Sequence, residues 1–201
     1  MKVAARIITI FFHPLLMPTL GLLLILNSGT YLSLLDPAAK RAVMFVMALG
    51  TLFFPLMMIP VLYYRNLITS LQDVSREERF LPQLIILILY VITFVYFVRL
   101  PLSRVIHGYV LSFSVLLLVL MLVNFKFKIC PHMAALGGIA GLIVVLILLY
   151  ETPLQGFLII AFLAGGLVGT ARLILKQQSP AEIYAGYLVG FAVVLITLLV
   201  Y

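Results

Sequence analysis

The chain has 201 residues, 65% of them hydrophobic and 9% charged, with 13 Lys+Arg against 6 Asp+Glu. Soluble proteins carry about 25% charged residues, so this chain has too few to cover a water-facing surface. A soluble enzyme, a disordered chain and a disulfide scaffold are excluded, the last also because Cys130 is the one cysteine. The surplus of +7 is scattered singly or in pairs, without a basic stripe. That pattern sets topology and meets anionic lipid headgroups; it does not suit nucleic acid.

Crossing the hydrocarbon core takes about 20 apolar residues. Seven stretches reach or approach that length, at 7–26, 42–64, 82–98, 105–124, 132–150, 154–175 and 182–201. Unpaired backbone is not tolerated in lipid and period-2 alternation is absent, so these predict helices and not a membrane barrel. The expected class is all-α, a polytopic bundle of about seven transmembrane helices in a single domain over 1–201. Lys2 and Arg6 before the first apolar run mimic a secretory signal. The run is too long and lacks a small-x-small cleavage pattern, so a retained first helix is expected. Pro14 and Pro18 should kink it, as Pro55 and Pro60 should kink the second. Between the second and third runs lies the most polar segment, Arg65–Leu81, which suits an amphipathic helix at the interface.

Helices five to seven carry glycine pairs at spacing four: Gly137 and Gly141, Gly165 and Gly169, Gly186 and Gly190. Such spacing lets helix backbones approach closely in lipid, either within one bundle or across a homodimer face.

With seven helices, the N-terminus and loops two, four and six share one membrane face. That face holds Lys2, Arg6, Arg65, Arg76, Arg79, Lys126, Lys128, Arg172 and Lys176; the other holds Lys40, Arg41, Arg99 and Arg104. Positive charge favours the cytoplasm, which predicts a multi-pass protein of the plasma (inner) membrane with a cytoplasmic N-terminus. The same three loops contain most of the chemically useful side chains, and cations from three loops suit an anionic headgroup. His132 follows Pro131 at the start of a small-residue helix, whose free N–H groups favour a phosphate oxygen. The alternative for His132 is a boundary histidine at the lipid interface. His13 and His107 lie outside these loops and read as interfacial packing residues.

Three segments carry a resemblance. Gln72-x6-Arg79, Ile129-Cys130-Pro131-His132 and Ala171-Arg172-x5-Gln178-x3-Glu182 resemble the signature of the type 2 phosphatidic acid phosphatase superfamily, membrane enzymes that dephosphorylate lipid phosphates. The family's signature reads Lys-x6-Arg-Pro, then Pro-Ser-Gly-His, then Ser-Arg-x5-His-x3-Asp ahead of a Gly-rich helix. The similar region covers 72–190 and leaves out the first two helices. The resemblance implies a six-helix phosphatase-like core and a phosphorylated lipid as partner, with no metal and no cofactor. It implies phosphate-binding arginines at Arg79 and Arg172 and a leaving-group acid at His132. Gln72, Lys128, Cys130, Gln178 and Glu182 would line the substrate.

The departures are specific. The family's nucleophilic histidine falls on Gln178, and an amide cannot form the covalent intermediate. Its orienting aspartate becomes Glu182, its first lysine Gln72 and its motif-two serine Cys130. Cys130 at a helix entry near Lys126 and Lys128 is a candidate replacement nucleophile, or a small apolar packing residue. Two further classes compete with a weak lipid phosphatase. A Mg²⁺-dependent prenyl or phosphoalcohol transferase would need acidic clusters, of which loop two offers only Asp73, Glu77 and Glu78. A catalytically inactive lipid-binding or scaffolding protein is favoured by Gln178.

Overall fold

The computed structural model describes residues 1–30, 34–65 and 80–201. Among the described residues every regular element is a helix and there is no strand. They form α1 (Lys2–Phe11), α2 (Met17–Leu26), α3 (Pro37–Ala48), a π-helical turn (Leu49–Phe53), α4 (Phe54–Tyr64), α5 (Phe80–Val98), α6 (Arg104–Val123), α7 (Pro131–Tyr150), α8 (Gln155–Ile174) and α9 (Pro180–Val200). α3, the π turn and α4 run on as one element. Six helices are therefore long and apolar enough to cross a membrane, with mean hydropathies of 2.1 to 2.5. The architecture is a multi-pass helical membrane bundle. The polar segment between α4 and α5 lies almost wholly in 66–79, outside the described residues.

The expected first span, 7–26, is not one helix. α1 and α2 have ten residues each, or about 15 Å at 1.5 Å per residue, half the hydrocarbon thickness. Pro14 and Pro18 cause the break, because they withhold the N–H groups that Ile10 and Pro14 carbonyls would accept in an unbroken helix. His13 N–H turns back to Ile10 O instead, and Leu16 N–H to His13 O. α2 is then docked by Tyr109 of α6, whose buried hydroxyl donates to Met17 O and Pro18 O at 3.2 and 3.0 Å. Gly21 makes room for it: a Cβ there would lie on the Tyr109 ring.

Proline also explains the π turn. Pro55 has no N–H for the Thr51 carbonyl, and Phe54 N–H bonds to Leu49 O, five residues back. The orphaned Thr51 O accepts from the buried Tyr90 hydroxyl of α5 at 3.4 Å. Gly50 sits against the Thr93 side chain, where a Cβ would not fit. The wide turn is thus matched, residue for residue, to α5.

α7 is the central helix. Two thirds of its span is buried inside the protein, against 17% for α5. Its small face lets α9 come to backbone contact: a Cβ on Gly137 would meet Tyr187 O, and one on Gly190 would meet Ala134 O, both far inside van der Waals distance. Gly141 and Gly186 face Phe191 O and Cys130 O in the same way, while Gly165 and Gly169 of α8 face Tyr187 and Ile183 of α9. All six glycines are covered within the chain.

Candidate functional site

The short connections α6–α7 and α8–α9 are tied together at one end of the bundle. Cys130 N–H donates to Glu182 O at 3.2 Å and Lys128 Nζ to Gln177 O at 3.4 Å. Gly186 allows this approach, since any side chain there would strike Cys130 O. α8 ends when Lys176 takes a left-handed conformation, φ +54°. Lys176 N–H then bonds to Leu173 O and Gln177 N–H to Arg172 O, the paired closure of a Schellman motif. This turn folds Gln177 back over Arg172. Gln177 Oε1 accepts from Arg172 Nη1, and Gln178 is packed inward, 8% exposed.

Beside this junction lies a cavity of about 280 Å³. Its body is apolar, with Ile59, Ile86, Phe113, Leu116, Leu117 and Leu120 among the walls; Tyr90 and Gln83 also line it. The polar side chains of His13, His132, Arg172 and Gln178 line it as well. No acidic side chain lines it among the described residues. Several of these polar atoms have no partner there: His132 Nδ1, Arg172 Nε, and both Gln178 Oε1 and Nε2. Unpaired buried polar atoms of this kind cost free energy unless something occupies the space beside them. α7 adds to the electrostatics, because it starts at Pro131 with no side-chain bond from its N-cap, Cys130. Its first N–H groups and positive dipole end lie at the His132 position.

The sequence-derived residues divide into three sets. His132, Arg172 and Gln178 come together on the cavity wall. Lys128, Cys130 and Glu182 belong to the adjoining junction and are not wall residues: Lys128 is exposed, Cys130 is fully buried, and Glu182 keeps a buried, unpartnered Oε2. Gln72 and Arg79 fall outside the described residues, as do Asp73, Glu77 and Glu78.

His13, which the sequence places as an interfacial packing residue, lines this cavity. It sits in the α1–α2 break and faces His132 edge-on, with ring centroids 5.6 Å apart. Its Nδ1 accepts the Leu15 N–H at 3.3 Å. The signal available in the sequence was the pair of prolines at positions 14 and 18, which can interrupt a span as well as kink it. Among the described residues no cluster of His, Cys, Asp or Glu could hold a metal ion. No protein-family model matches this chain, and neither does any curated protein or any solved structure.

Proposed function

We propose that this protein binds the phosphate of a membrane lipid, a phospholipid or isoprenoid phosphate, in the cavity beside the α6–α7 and α8–α9 junction, and hydrolyses it weakly. The carrying observation is chemical asymmetry. A largely apolar cavity gathers a guanidinium, a helix N-terminus and an unpaired buried amide, with no carboxylate on the wall among the described residues. A phosphate supplies the missing acceptors and counter-charge, and the aliphatic walls suit a hydrocarbon chain. At about 280 Å³ the space is at the small end of ligand sites, roughly 300–1,000 Å³. It therefore suits a headgroup and the first stretch of chain. The resemblance adds Arg79 as a second guanidinium.

Hydrolysis here lacks the usual covalent step. Gln178 cannot take a phosphoryl group, and Cys130 is buried off the wall. The remaining route is direct attack by water on phosphorus: a water O–P bond forms and the P–O bond to the lipid breaks. His132 gives its proton to the departing lipid oxygen and regains one from the attacking water. The second reading, a non-catalytic lipid-binding protein, is favoured by the same Gln178. The surplus of cations on the α4–α5, α6–α7 and α8–α9 connections supports a cytoplasmic site in the inner membrane.

Calorimetric titration of the purified protein with a short-chain phosphatidic acid, beside phosphate-release assays on a panel of lipid phosphates, tests both readings. Saturable binding is expected, weakened in Arg172→Ala by about 1.5–3 kcal/mol, the range for hydrogen bonds to charged groups. Phosphate release should be slow or absent. Unchanged affinity in Arg172→Ala would overturn the binding site. Vigorous release that survives His132→Ala would overturn the mechanism.

A further inference from the structure

His13 has a geometry that the packing of a lone interfacial histidine does not require. Its Nδ1 lone pair is taken by the Leu15 N–H. In the neutral ring this makes Nδ1 the acceptor and leaves the proton on Nε2, a hydrogen-bond donor. The ring lines the same cavity as Arg172, His132 and the buried, unpaired Gln178 amide, and stands 5.6 Å from the His132 ring. The prolines that break the first helix bring it there. An unbroken α1–α2 would carry residue 13 in mid-helix, with its ring free of the Leu15 clasp.

We infer that His13 is a headgroup ligand, donating Nε2–H to a phosphate oxygen held by Arg172. This rests on the lipid-phosphate reading above. It also supplies a donor that the resemblance lacks, since the position of the family's first lysine is Gln72 in this chain. The broken N-terminal element thereby completes the site from a part of the chain that the resemblance does not cover.

The test separates the clasp from the ligand role. In His13→Asn, Oδ1 stands two bonds from Cβ, as Nδ1 does, and can accept the Leu15 N–H in an Asx-type turn. No donor then reaches the position of Nε2. In His13→Gln the amide extends to that position. Both variants, Arg172→Ala and the natural protein are titrated with dihexanoyl phosphatidic acid. The natural protein is also followed through its ¹⁵N-imidazole resonances. His13→Asn should melt within a few degrees of the natural protein yet bind roughly tenfold or more weakly, the loss expected for one hydrogen bond to a charged group. His13→Gln should recover part of that affinity, and the His13 Nε2 resonance should move on saturation. Natural affinity in His13→Asn alongside weakened Arg172→Ala overturns the His13 assignment and leaves the lipid-phosphate reading standing. No binding by the natural protein overturns both. If His13→Asn does not fold, an Nε2 resonance unmoved by saturating ligand overturns the assignment by itself.

Discussion

At the scale of single residues, Gln178 is the most informative. A buried amide with neither end paired is a cost to the ligand-free protein, and an apolar side chain of similar size removes it. Gln178→Leu should therefore stabilise the empty protein, by about 1–3 kcal/mol, while weakening lipid-phosphate binding. Thermal unfolding in detergent, with and without ligand, reads both effects. A variant that is no more stable and binds equally well would show that the amide has no ligand role. Gln178→His places an imidazole beside Arg172 and should raise phosphate release above that of the natural protein, more so when combined with Gln72→Lys. Cys130 and Glu182 show the limit of reading a site from spacing. Cys130 directly precedes the wall residue Pro131 and Glu182 lies four residues after Gln178, yet both are drawn into the contact between the two connections, where Cys130 N–H donates to Glu182 O. A neighbour in sequence can therefore face another element altogether.

At the scale of elements, backbone details decide how the helices meet. The α7–α9 contact is built on glycines whose missing Cβ atoms are replaced by a facing backbone. Gly190→Ala puts a methyl group into Ala134 O, so the helices must separate. The expected loss is at least the roughly 1–3 kcal/mol of core overpacking. Gly166→Ala is the control: a Cβ there meets nothing within 4 Å, and the gain in helix propensity is up to about 1 kcal/mol. Equal melting temperatures for the two variants would mean that α7 and α9 are not packed this closely. The π turn follows a related rule. Pro55 removes one backbone donor, and Tyr90, from another helix and on the cavity wall, replaces it.

At the scale of the whole molecule, parity organises the site. From α3–α4 onward each connection changes face, so α6–α7 and α8–α9 emerge together and Arg41 lies on the other side. Cysteines introduced at Lys128 or Lys176, in a Cys130→Ala background, should be shielded from an impermeant maleimide in intact cells. A cysteine at Arg41 should be labelled. Labelling of Lys128 and Arg41 positions from the same side would break the six-span topology. Reversed sidedness with parity intact would leave the bundle standing and put the site on the outer face.

Composition and periodicity alone determined the helical membrane class, the long spans from α5 to α9 and the glycine pairs that seal them. These follow from local rules: lipid demands internally bonded backbone, and a span needs a fixed length of apolar chain. Motif spacing also brought His132, Arg172 and Gln178 under one suspicion, because each sits at a helix end whose face is set by parity. The tertiary structure alone decided that the first span is two half-length helices, and that His13 therefore reaches the cavity. It likewise decided that Lys128 and Cys130 brace a junction beside the wall. Proline marks where a helix lacks a donor, but whether the chain then bends or breaks depends on what pairs with and covers the backbone around it. Here the Tyr109 hydroxyl donates to the Met17 and Pro18 carbonyls, Leu15 N–H donates to His13 Nδ1 and α1 packs on α8, and no spacing in the sequence connects Tyr109 or α8 to positions 13–18.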